Sequence, residues 1–196
     1  MHALLRISRG IDAFTDWVGR QTGWIVTLLI IIGFLNVVAR YFGRFVGLRL
    51  TSNVIIEAQW YMFSVLFFLG FAYVLRHNLN VRVDFLYAKM SPKRRALVDL
   101  IGHLFFVAFC VLGITMTYGP VMRSWGLLRD GSWGTWEMSP DADGLPRAPI
   151  KSMIIVSFAL LLLQTLSELI KYVAVLTNNM YPEALEDHSQ QPIPIE

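Results

Sequence analysis

Apolar residues run almost unbroken through four stretches of this chain, and polar residues gather in short blocks between them. A helix rising about 1.5 Å per residue needs about 20 such residues to cross about 30 Å of hydrocarbon. The pattern predicts spans over about 23–41, 54–76, 97–122 and 150–176. Gly23–Ala39 is uncharged, with Trp24 and Tyr41 where an aromatic belt would anchor its ends. Val54–Leu75 carries one charge, Glu57 in its first turn, and the third run is uncharged from Leu100 to Met122, with Pro120 marking its end. The fourth has Lys151 at one end and the i, i+3 pair Glu168 and Lys171 near the other. No run alternates with period two as a barrel strand would, and lipid obliges the backbone to bond within each segment. The fold class is therefore all-α: an integral membrane protein with four transmembrane helices and an N-terminal interfacial amphipathic helix.

That last element rests on residues 1–22. Leu4, Ile7, Ile11, Phe14 and Val18 recur at helical spacing, with Arg9, Asp12, Asp16 and Arg20 around the other side. The stripe fits a helix lying in the membrane surface. It fits equally a wet extension of span one. The apolar run that follows is long for a signal peptide and no small-x-small cleavage site follows it, so it reads as a retained anchor. The middle connection, 77–96, alternates Leu79, Val81, Val83 and Phe85 with polar partners and is expected along the membrane surface. The polar, Pro-rich segment 177–196 reads as a flexible cytoplasmic tail.

Composition agrees with the pattern: 55% of the 196 residues are hydrophobic and 16% charged, against about 25% charged in soluble domains. That argues against a free cytosolic enzyme. The net charge of +3 comes from 17 Lys and Arg spread between the apolar runs, which read as topology signals and not as a nucleic-acid surface. Ten of them fall on the side shared by the termini and the middle connection, including Lys93-Arg94-Arg95, and seven on the other. Basic residues stay on the cytoplasmic face, so both termini are expected there. The single cysteine, Cys110, lies inside a span and reads as a packing residue.

No HExxH, GxSxG or P-loop occurs, and no catalytic residue, cofactor or metal site is expected. His77 and His103 near neighbouring span ends leave a haem anchor open, against the commoner structural hydrogen bond. Ionisable groups at the bilayer are functional candidates; here they sit at span ends. Arg40 and Glu57, on consecutive antiparallel helices, are expected to approach each other or a shared partner, unless each snorkels separately to water. A small four-helix exporter is the self-sufficient alternative, although Glu57 is near a helix end. The connection 123–149 carries Trp125, Trp133 and Trp136, which either insert at the lipid interface or form a docking surface.

Four motifs in register resemble one family. Asn36-Val37-Val38-Ala39-Arg40-Tyr41, Glu57-Ala58-Gln59-Trp60, the run from Phe68 through Gly70 and Tyr73 to Arg76, and Val81-Arg82-Val83-Asp84 are similar to the small permease subunit of TRAP transporters, the DctQ-like family. Gly144-Leu145-Pro146-Arg147-Ala148-Pro149-Ile150-Lys151, with Gln164 and Ser167-Glu168, resembles its mannitol/chloroaromatic or keto-acid branch. The resemblance implies a bacterial inner-membrane, tripartite system. In it a periplasmic binding protein (DctP-like) delivers an organic acid, a large permease (DctM-like) carries it inward with sodium, and the small subunit supports that permease. It implies partners in those two proteins and membrane lipids, and none in nucleic acid. Asn36, Arg40, Glu57, Trp60, Gly70 and Tyr73 become candidates for the large-permease interface. Arg123, Trp125, Trp133, Trp136 and Arg147 become candidates for binding-protein docking, and Arg76, Asp84, Lys151 and Glu168 are membrane-end charges. Gly33, Gly70, Ala72, Gly102 and Gly113 would permit close helix approach.

Overall fold

The computed structural model describes residues 1–48, 50–79 and 90–177. Four helices account for most of them: α1 (His2–Val46), α2 (Asn53–Arg76), α3 (Pro92–Ser124) and α4 (Arg147–Leu176). All four are long and apolar enough to cross a membrane. The shortest, α2, has 24 residues and is about 36 Å long, enough for the hydrocarbon layer. The described residues contain no strand, only isolated bridges. Asp84, half of the middle connection and the expected tail from 178 onward lie outside the described residues.

Helix ends differ from the apolar runs where local chemistry carries the helix onward. The third helix starts at Pro92, with Ser91 ahead of it, because proline's missing N–H costs nothing in a first turn and its fixed φ suits the helix. It also continues through Pro120 to Ser124, so Pro120 does not end the span as the sequence suggested. Proline there removes one backbone bond, but the following turn is held by the buried Val121 and by Glu137 N–H donating to Ser124 O at 2.9 Å.

In α1 the N-terminal segment continues into span one, the extension that the sequence left open. α1 is one continuous helix of 45 residues, about 67 Å at helical rise, so residues 1–22 and span one belong to one element. Part of its N-terminal polar side is turned inward, while Arg9 and Arg20 stay exposed. Ser8, Asp12 and Thr15 are buried, whereas Leu4, Ile7, Phe14 and Trp17 are exposed. The inward part has its reason in a matching polar stripe on α4.

The chain divides into two compact units, each drawing a segment from every helix. A terminal unit comprises 1–18, 71–112 and 158 onward; a loop unit comprises 19–70 and 113–157. In the terminal unit Ala96, Tyr172 and Val175 form a small apolar core with Leu100 and Leu176, and Cys110 is fully buried, as a packing residue should be. In the loop unit Gly33 lets α1 approach α2, since a Cβ there would lie 3.1 Å from Gln59 Nε2, and Ser157 Oγ donates to Phe68 O at 2.9 Å. The apolar stretch of α4 is the most buried of the four. Large side chains such as Phe34, Phe45, Phe105 and Met116 stay exposed, an outer surface suited to lipid or to another membrane protein and not to water.

Candidate functional site

In the terminal unit, polar residues one helical turn apart on α1 meet a similar row on α4. Ser8, Asp12 and Thr15 face Gln164, Ser167, Glu168 and Lys171, all buried. Thr15 Oγ1 donates to Gln164 Oε1 at 2.8 Å, and Gln164 Nε2 donates to Asp12 Oδ1 at 3.0 Å and Glu168 Oε1 at 2.9 Å. Ser167 Oγ lies 2.7 Å from both Asp12 Oδ1 and Ser8 Oγ. A hydroxyl has one proton, so Ser167 donates to the carboxylate while accepting from Ser8.

Asp12 is the hub. Its Oδ2 pairs with Lys171 Nζ at 2.8 Å and Arg76 Nη1 at 2.7 Å. Lys171 also holds Glu168 at 2.7 Å, the i, i+3 pair expected from the sequence. Arg76 grips Asp16 with both Nε and Nη2, and His77 Nε2 lies 3.1 Å from the same carboxylate. Arg76 and Glu168, read as separate membrane-end charges, thus belong to one network spanning α1, α2 and α4. Mutual pairing is what lets these charges be buried, because an isolated one would cost several kcal/mol. Asp12, Asp16, Ser8 and Thr15 were not singled out as a site. The signal available was their recurrence at i, i+4, i+7 and i+8, which puts them on one side of the helix.

The histidines have other partners. His77 Nε2, the nitrogen a haem iron would need, is engaged by Asp16, and His103 Nδ1 bonds to Asp99 O at 2.8 Å with its ring against Tyr172.

The loop unit is built differently. Glu57, the fifth residue of α2, is 3% exposed. One carboxylate oxygen accepts from Ser139 Oγ and the other from Leu145 N–H. The neighbouring Asn53 Nδ2 donates to Ala142 O at 2.9 Å, and Tyr61 Oη to Pro146 O at 3.1 Å. Gly144 makes the close approach feasible: a Cβ on it would lie 2.9 Å from Glu57 Oε2 and collide with Ser139. Among the described residues no ion pair joins Glu57 to Arg40, so the expected pair does not form. The loop supplies nearer partners for the carboxylate, the cation nearest in effect is Arg147, and Arg40 is exposed on the outside of α1.

A second carboxylate anchors the other half of the loop. Glu137 takes Lys151 Nζ and, at 2.5 Å, Ser124 Oγ, tying the end of α3 to the start of α4. The Lys151 ammonium, then the Ser124 hydroxyl, hold the Glu137 carboxyl below the usual glutamate range. At the loop tip Asp130 is likewise lowered, by the side chain and backbone of Ser132. Gly126, at φ +100°, passes so close to Gly134 that a Cβ would meet its carbonyl oxygen at 2.6 Å. The bridges Leu127 to Trp133 and Met138 to Pro146 complete a folded connection.

The tryptophans separate into two roles. Trp125 is half-buried, its indole N–H on Ser152 Oγ at 2.7 Å and its ring against Trp136. Trp133 is 66% exposed, and Trp136, Met138 and Leu128 are also exposed. Arg123 is exposed, whereas Arg147 is half-buried with its charge acting on both Glu57 and Glu137.

The remaining interface candidates scatter over the helices. Asn36 is buried, donating to Gln59 Oε1 at 3.1 Å, with its own Oδ1 lacking a partner. Trp60 packs edge-on to Tyr61 and stays 40% exposed, Tyr73 stacks near His77, and Gly70 faces open space, as does Gly102.

No curated protein and no solved structure matches the chain. The family model described as the DctQ component of tripartite ATP-independent periplasmic transporters matches residues 29–174, which takes in the last 18 residues of α1, all of α2 and α3, the folded connection with both carboxylate anchors, and nearly all of α4. With four apolar helices and that match over well more than half of its length, the chain belongs to the DctQ family and is a small subunit of a TRAP transporter, a family of transporter components and not of enzymes.

Proposed function

We propose that this subunit scaffolds the large permease of its transporter, which carries an organic acid inward with sodium after a periplasmic binding protein delivers it. The observation that carries the reading is the mutual pairing of the buried charges around Asp12, Arg76 and Lys171. Groups committed to one another build a stiff polar seam and leave no free charge there for a solute. The apolar outer faces of α1 to α3 then offer packing area to a larger membrane protein, with Arg40, Trp60, Gly70 and Tyr73 as interface residues. A keto acid or similar carboxylate is the solute class suggested by the 144–151 motif.

The subunit sits in the bacterial inner membrane with both termini cytoplasmic, following the distribution of basic residues. The 123–149 connection then faces the periplasm and presents Trp133 and Trp136 to the binding protein. A folded, doubly anchored loop with exposed rings suits a protein partner, since interface hot spots are rich in aromatics that are already in place.

The test is expression of the chain alone and together with its large permease. The expected result is a stable hetero-complex, with uptake only when the binding protein is added. A solute or cation bound by the isolated chain, or uptake by it alone, would replace this reading with the exporter alternative.

A further inference from the structure

We infer that Glu57 is a positioning residue for partner docking, the group that holds the periplasmic turn 139–145 closed. The inference rests on the docking reading of the 123–149 connection. Its basis is the way one buried carboxylate spans both ends of a turn. One oxygen takes the Ser139 hydroxyl and the other the Leu145 amide. Between those residues the chain reverses, with Gly144 N–H on Asp141 O at 3.1 Å and Met138 bridged to Pro146.

Glu57 therefore acts as a clasp across the mouth of the turn. It does not reach a partner itself, being 3% exposed, while Met138 on the clasped arm is 57% exposed and Trp136, two residues earlier, 53%. Glu57 is the fifth residue of α2, past the first turn in which the helix dipole favours an acid. Burial against the loop needs a further reason, and closing the turn supplies it. Binding weakens when an interface must be ordered on contact, because the ordering entropy is then charged against affinity.

The chemistry separates this role from a purely electrostatic one. Glutamine at position 57 could still accept from Leu145 N–H through its oxygen and donate to the Ser139 hydroxyl through its amide nitrogen. Alanine could do neither. The experiment measures equilibrium binding of the cognate periplasmic binding protein to the purified, assembled small-and-large-subunit complex in lipid nanodiscs. Comparison is per assembled complex, so altered yield does not enter.

Glu57→Ala is expected to weaken binding about tenfold or more, and Glu57→Gln to stay within about threefold of the native chain, since both bonds survive. Proteolytic cleavage within 139–145 should rise for alanine only. Ser139→Ala, which removes one bond from the loop side, is expected to fall between them, and it decides the matter if Glu57→Ala fails to assemble. Native affinity in the alanine variants, or a glutamine variant as weak as alanine, overturns the clasp. The joint change Trp133→Ala and Trp136→Ala tests the underlying docking reading. Unchanged affinity there removes that reading and the inference with it, whereas weakened affinity there with native affinity in the alanine variants at 57 and 139 removes the inference alone.

Discussion

The terminal unit and the loop unit both bury acidic side chains, yet they spend them on different partners. Around Asp12 the contacts are mostly side chain to side chain, with two cations, an amide and a hydroxyl converging from α2 and α4 on a residue of α1. Around Glu57 they come from a hydroxyl and a backbone N–H on a loop. A helix in the bundle has already used its backbone donors, so a buried acid there must find cations on neighbouring helices. A loop has backbone groups to spare, and a carboxylate beside it can fold the loop over itself. One arrangement locks helices together and the other gives an irregular segment a fixed shape.

The contrast breaks most visibly at the hub. Lys171→Met removes one of the two cations on Asp12 and the cation on Glu168, and should lower stability by about 3–5 kcal/mol. Thermal unfolding of the detergent-solubilised subunit reads this, and the double variant Asp12→Asn, Lys171→Met should lose less than the sum of its single changes. A native midpoint for Lys171→Met would mean that the seam does not hold the helices.

In the loop unit the sensitive point is packing. Gly144→Ala forces a methyl group against Ser139 and Glu57, at a cost of about 1–3 kcal/mol. The expected readout is faster proteolysis within 125–146 while the helices resist. Equal cleavage of native and variant chains would show that the turn yields without strain.

Smaller again is the half-exposed Glu137 to Lys151 tie, worth about 0.2–1 kcal/mol as a surface pair. Because folding lowers the Glu137 pKa, its contribution is present above the ordinary glutamate range and disappears as pH falls through the lowered value. Loop protection against an acid-active protease should therefore hold from neutral to mildly acid pH and decline below it. Glu137→Gln should be less protected at neutral pH and flatter on acidification, and an identical pH profile would exclude the tie.

The least effect on stability should come from Trp133→Ala, within about 0.5 kcal/mol, since that ring is 66% exposed. A clear fall in the unfolding midpoint would place Trp133 in the loop's own structure and out of any docking face.

How far these features were legible in the chain varies by kind. Glu168 and Lys171 were readable as a pair because helical spacing alone puts them together. Pairing Arg40 with Glu57 failed because similar depth on adjacent helices does not decide azimuth, and because a distant loop segment could supply Glu57 with closer partners. Pro120 failed as a terminator for a related reason: contacts from Glu137 to Ser124, remote from the proline, stabilise the turn beyond it.

The amino-acid order by itself determined the class and number of helices, since hydrocarbon demands long apolar segments whose backbone groups are satisfied internally. It also carried the family motifs, as these are written in consecutive residues. Tertiary structure decided which way each helix turns. Ser8, Asp12 and Thr15 of α1 face inward only because α4 brings Gln164, Ser167 and Lys171 to meet them, and the 123–149 connection is folded only because Glu57 and Glu137 stand where it returns. A polar residue on a helix can face water or a partner equally well until the partner's position is known, and that position is set by contacts spanning more than 150 residues of chain.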